Sequence, residues 1–202
     1  MSMATSRRDF LLTLGLLFCG GTQEAWAGPR RSKGSSSDTT APAALAPVIA
    51  ATRGLKIAKD RWRVIVGHHS AIAQGNAALY DRAHRRRGMT HGLAYHFVIG
   101  NGIDSGDGEI EIGSRWLGQL DGGHVRNAGV IHAGIGICCV GNFEQTRPTA
   151  KQISSFEALV RYLRDDAARS PLSLKVHREI DGARTLCPGR FFPIKTLRKR
   201  LA

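Results

Sequence analysis

The side chains with chemistry to offer cluster in two stretches. One is Val176-His177-Arg178-Glu179-Ile180-Asp181-Gly182-Ala183-Arg184-Thr185-Leu186-Cys187-Pro188-Gly189-Arg190, with an imidazole at His177 and a thiol at Cys187. Both can bind a borderline-soft cation such as Zn²⁺, but two ligands do not fill a tetrahedral site. The second stretch, Val64-Ile65-Val66-Gly67-His68-His69-Ser70, is an apolar run that ends in two histidines. One His of that pair, with His177 and Cys187, makes three protein ligands and leaves one corner for water. That is the arrangement of a catalytic zinc site rather than a closed structural one.

Several elements must bring these groups together. Residues 62–67 read as a strand rich in β-branched residues that ends at the His pair. Residues 76–87 read as a helix capped by Asn76 and stopped by Gly88. A second strand over 92–100 carries Tyr95 and His96, a third runs over 109–116, and an apolar one over 134–141 is expected at the centre. Thr149-Ala150-Lys151-Gln152 is a capping box that opens a helix whose apolar stripe is Ile153, Phe156, Leu159, Val160 and Leu163. A short strand over 173–177 delivers His177, and Pro193 suits the first turn of a final helix. Strands and helices alternate, so the expected fold is a single α/β domain over 60–202 with a central mixed sheet flanked by helices.

Residues 1–27 read as an export signal. Arg7-Arg8 precede an apolar run too short for an ordinary membrane-spanning helix, and Ala25-Trp26-Ala27 suits signal cleavage. The paired arginines resemble a twin-arginine signal. Export to the periplasm, cell envelope or exterior is therefore expected, with no membrane segment in the mature chain. Residues 28–59, rich in Ser, Ala and Pro, read as a disordered linker. The net charge is +13, and removing residues 1–27 takes away Arg7, Arg8, Asp9 and Glu24, so it stays +13. Such a charge points to an anionic partner: nucleic acid, acidic lipid or an acidic polymer. With Cys19 in the signal, Cys138, Cys139 and Cys187 are an odd set, which argues against a full disulfide framework.

The domain from about Asp60 onward resembles the zinc N-acetylmuramoyl-L-alanine amidases of the peptidoglycan-recognition-protein and bacteriophage amidase-type lysozyme superfamily. The resemblance rests on an ordered set of blocks. They are Val66-Gly67-His68-His69-Ser70, Gly92-Leu93-Ala94-Tyr95-His96-Phe97-Val98-Ile99, Asp107-Gly108-Glu109-Ile110, Gly123-His124, Gly134 through Phe143, Pro148-Thr149, and His177-Arg178-Glu179 through Thr185-Leu186-Cys187-Pro188-Gly189. It implies a zinc ion held by His68, His177 and Cys187. It also implies catalytic roles for Tyr95 beside the metal-bound water and for Thr185 near the scissile carbonyl. His124 matches a residue on the wall of the substrate groove, and His96 is placed with it as substrate-binding, with bracing of the site, alongside His69, as its alternative role. The strand position where some intracellular relatives carry a catalytic glutamate is Cys138 here. The implied substrate is the amide between N-acetylmuramic acid and L-alanine in peptidoglycan; a monomer is expected.

Two other classes compete with this reading. A wall-binding module would recognise muropeptide without cutting it, but such relatives typically lose a ligand such as the cysteine. A basic nucleic-acid binder would explain the charge, yet the export signal and the lack of an aromatic-basic recognition motif oppose it, so no nucleic-acid partner is expected.

Overall fold

The computed structural model describes residues 43–202. The export signal with Cys19, and the linker up to residue 42, lie outside the described residues. The first helix, α1 (Ala46–Arg53), falls inside the stretch read as linker. Alanines favour a helix, Pro47 suits its first turn, and Leu45, Val48, Ile49 and Thr52 recur at spacings of three and four. Leu45 and Val48 are buried in the main core, and the Trp116 indole N–H donates to Thr52 Oγ1 at 2.9 Å. The linker expectation is therefore corrected for residues 43–59: α1 buries an apolar face, so the folded domain begins before Asp60.

The strands are β1 (Val64–His69), β2 (Phe97–Ile99), β3 (Ile110–Ile112), β4 (Gly134–Cys139) and β5 (Ser173–Val176). They form one five-stranded sheet in the order β3-β2-β4-β1-β5. β1 pairs in parallel with β4 and β5, β2 pairs in parallel with β4, and β3 runs antiparallel to β2. The mixed sheet and the central place of β4 match the expectation. Every residue of β1 and β4 is buried, as parallel strands covered on both faces must be.

The remaining helices are α2 (Ala77–Arg86), α3 (Ser114–Leu117), α4 (Ala128–Ala133), α5 (Ala150–Tyr162), α6 (His177–Asp181) and α7 (Ile194–Arg200). Asn76 caps α2, its side chain accepting the Leu79 N–H at 2.8 Å. Thr149 and Gln152 close the capping box of α5. Phe156, Leu159 and Val160 of the α5 stripe are fully buried, with Leu163 just beyond the helix.

Element boundaries move, β1 to Val64–His69 and the end of β4 to Cys139 among them, and three of the shifts bear on the site. Tyr95 and His96 lie before β2 rather than within it. The third strand stops at Ile112 and the chain turns into α3, where the Gly113 N–H donates to the His96 carbonyl at 2.8 Å. His177 opens α6 instead of ending β5, because the Glu179 carboxylate accepts the Val176 N–H at 3.0 Å and starts the turn.

If α1 belongs to the core, Val48→Asp buries an unpaired carboxylate and costs about 3 kcal/mol or more in urea denaturation. A linker would tolerate the change with no shift in midpoint.

Candidate metal centre

The sheet register sets the site. Gly67 pairs with Val176 across β1 and β5, so the residues that follow, His68 and His177, stand side by side where that pairing ends. Their ring centroids are 4.7 Å apart. Cys187 arrives on the loop after α6. Its carbonyl accepts the Arg178 N–H at 2.9 Å, and its sulfur accepts the His69 backbone N–H at 3.3 Å. Gly189, at φ +95, follows in the same loop, where a Cβ would stand 2.3 Å from the Phe143 backbone. Only glycine permits that approach. One ligand atom from each of His68, His177 and Cys187 lies within 4.8 Å of the others.

The pair of histidines is resolved by the pleat. Successive strand residues point to opposite faces. His68 turns to Cys187, with Nδ1 at 3.6 Å from Sγ. His69 instead accepts the Phe143 N–H on its own Nδ1 at 3.1 Å.

Fixed acceptors on the far side of each ring set the tautomers. A carbonyl or carboxylate only accepts, so the facing ring nitrogen must carry the proton. His124 Nε2–H donates to the Gly134 carbonyl at 3.3 Å, which leaves its Nδ1 to accept. His68 Nε2–H then donates to His124 Nδ1 at 3.0 Å. The lone pair of His68 Nδ1 is left facing the sulfur. His177 Nε2–H donates to Asp181 Oδ2 at 2.9 Å, which frees the lone pair on Nδ1. Burial, reinforced by the imidazoles of His124 and His177, holds the His68 pKa well below its usual value. Burial likewise lowers His124 to about 4. Both rings are thus neutral.

The donor set suits a zinc ion. Zn–N of 2.0–2.1 Å and Zn–S of 2.3 Å at a tetrahedral angle place nitrogen and sulfur about 3.6 Å apart, which is the spacing of His68 Nδ1 and Cys187 Sγ. Without a cation, burial pushes the Cys187 thiol up to about 12. A bound metal would reverse that, because a coordinating thiol is deprotonated outright.

Tyr95 stands beside this cluster, with its ring centroid 5.2 Å from that of His68 and its body packed on Cys138. Burial first, then the thiols of Cys138 and Cys187, raises its pKa well above the usual phenol value. Thr185 Oγ1 accepts the Cys187 N–H at 3.1 Å, so its hydroxyl hydrogen stays free. Cys138 is the sheet partner of His68 and is fully buried. Burial also pushes its thiol well up.

Two expectations are corrected. His96 is fully buried, with Nε2–H donating to the Leu120 carbonyl at 3.1 Å and Nδ1 accepting the Gly136 N–H at 3.0 Å. His124 is buried with both nitrogens engaged as described above. Neither ring has an atom left for a substrate; they brace the site from behind. Sequence reasoning missed Asp181, although its four-residue spacing from His177 puts the two on one face once a helix is recognised there. Two open clefts are lined by residues that bond to the histidines of the two stretches, Asp181 to His177 and Phe143 to His69. One, of about 490 Å³, is lined by Arg126, Asp181 and Arg184 among others. The other, of about 320 Å³, includes Ile72, Ile103, Phe143 and Arg147.

The family model described as N-acetylmuramoyl-L-alanine amidase matches residues 58–190. Among solved structures, an endolysin N-acetylmuramoyl-L-alanine amidase, LysCS, from Clostridium intestinale URNW is 31% identical, at a TM-score of 0.60 over 70% of this chain and 84% of that one. Bumblebee PGRP-SA shares the fold at 22% identity, with a TM-score of 0.55 over 67% of this chain and 79% of its own. Peptidoglycan recognition protein-LE, solved with tracheal cytotoxin, a monomeric diaminopimelic acid-type peptidoglycan, does so at 23% identity and a TM-score of 0.55, over 68% and 79%. No curated protein matches the chain in sequence.

The packing around His124 is testable on its own. A Cβ at Gly136 would meet the His124 ring at 2.5 Å. Gly136→Ala is expected to cost about 1–3 kcal/mol by overpacking, read by urea denaturation in the presence of a chelator.

Proposed function

The chain belongs to the N-acetylmuramoyl-L-alanine amidase family, and on that premise we propose that it is a zinc-dependent hydrolase that cuts the amide between the lactyl group of N-acetylmuramic acid and L-alanine in peptidoglycan. The observation that carries the reading is the convergence of His68, His177 and Cys187, whose donor atoms lie within 4.8 Å of one another. These three residues would hold the ion. The chemistry supplied by zinc in such a set is Lewis acidity and activation of water near neutral pH.

The other residues divide the remaining work. The Tyr95 hydroxyl keeps its proton, since burial raises its pKa, and so acts as a hydrogen-bond donor to oxygen as negative charge develops on the amide. The Thr185 hydroxyl, anchored through its oxygen by the Cys187 N–H, turns its hydrogen to the substrate carbonyl and orients it. The His69 backbone N–H helps to hold Cys187 as thiolate. His124 and Asp181 keep the two ligand imidazoles in the tautomers that offer Nδ1.

The clefts lined by Asp181 and by Phe143 give an extended muropeptide room on the protein surface. The net charge of +13 suits an anionic wall polymer. Paired arginines before the apolar run support export, so the working place we propose is the cell envelope or the exterior. No described helix is long and apolar enough to cross a membrane.

Cys187→Ala is expected to lose its zinc by elemental analysis and to release no peptide from peptidoglycan by mass spectrometry. Full activity in that variant would overturn the metal assignment. A wild-type chain that binds muropeptide tightly but yields no product with added zinc would be a recognition module instead. Tyr95→Phe is expected to keep its zinc and to lower kcat about 10²–10³-fold; an unchanged kcat removes the tyrosine from the mechanism.

A further inference from the structure

Asp181 stands where two supports of the centre meet. It is the last residue of α6, one turn after His177, and its side chain is only 4% exposed. A carboxylate so far out of water is costly unless its oxygens are partnered. Oδ2 takes two donors: His177 Nε2–H at 2.9 Å and the Arg126 backbone N–H at 2.9 Å. The second bond reaches a different part of the chain. Arg126 lies two residues after His124, the residue whose Nδ1 receives the proton of His68 Nε2. One carboxylate therefore holds the His177 ring directly and ties down the loop that carries the support of His68.

We infer that Asp181 is a positioning residue that sets the metal affinity of this chain, by orienting His177 and by clamping the His124 loop behind His68. The inference rests on the zinc reading given above and extends it to a residue outside the donor set. Two consequences distinguish it from a role in folding alone. The metal-free protein should lose little stability without the carboxylate, because the Arg126 N–H lies in an exposed loop where water can replace the lost acceptor. The metal-loaded protein should change sharply, because the His177 imidazole is freed to turn and the loop that carries His124 is loosened.

The test uses the full chain and its Asp181→Ala and Asp181→Asn variants. Zinc affinity is measured by competition with a chromophoric chelator. The cobalt-substituted absorption spectrum reports ligand geometry, and urea denaturation of the metal-free proteins reports folding. Asp181→Ala is expected to weaken zinc binding about 10–100-fold and to alter the cobalt bands. Asp181→Asn retains an oxygen that accepts from His177 Nε2, so it should recover much of that loss. Zinc affinity within about twofold of wild type in both variants, with the cobalt spectrum unchanged, overturns the inference while leaving the zinc reading intact. A wild-type chain that takes up no zinc overturns both. If Asp181→Ala does not fold, Asp181→Ser, too short to reach His177, takes its place: a loss of about tenfold or more supports the role, and affinity within about twofold of wild type refutes it.

Discussion

Backbone hydrogen bonds between β1 and β5 hold Gly67 opposite Val176, and the chain then has no choice but to release His68 and His177 side by side. Everything else at the centre adjusts to that juxtaposition. Parallel pairing is what makes it possible. Strands that run the same way end at the same edge of the sheet, so residues remote in sequence reach one crevice. The same edge receives Cys138 and Cys139 from β4, paired with His68 and His69. Burial of β1 on both faces makes the register hard to slip, since a shift by one residue would exchange His68 for His69.

The third donor is held less by the sheet than by an aromatic cluster. Phe192 stacks on Phe143 at 6.0 Å and meets Phe156 edge-on at 5.4 Å. The Phe191 N–H donates to the Phe143 carbonyl at 2.9 Å, and the Arg190 N–H to Glu144 Oε1 at 2.7 Å. These contacts fix the loop just after Cys187, while Arg178 fixes its start. The sulfur thus sits on a short span of backbone pinned at both ends, and little conformational freedom remains to be lost when a cation enters.

Much of this was legible in the residues. The His pair at the end of an apolar run, the His177–Cys187 stretch and the capping box at Thr149 are local patterns, and local patterns survive being read one residue at a time. The errors have a shared cause. Residues 43–59 looked like linker because composition spoke first, although Leu45, Val48, Ile49 and Thr52 already carried a helical period. Residues 109–116 alternate like a strand, but Gly113 lies against the Tyr95 carbonyl and turns the chain into α3. The resemblance points His124 to a groove wall, and His96 reads as substrate-binding beside it, because nothing in a linear string reveals which rings are covered. The space His124 occupies exists because Gly122 and Gly136 have no side chains to fill it. Asp181 required knowing that His177 opens a helix, and that boundary was set one residue off.

The proton arrangement behind His68 ends on the Gly134 carbonyl. Had it ended on a side chain, a single codon change could erase the acceptor and leave His124 free to turn over. A peptide oxygen is common to all twenty residue types. The orientation of the first ligand is thereby insulated from genetic drift at that terminus, and its inheritance depends on the path of the backbone rather than on the letter at one position.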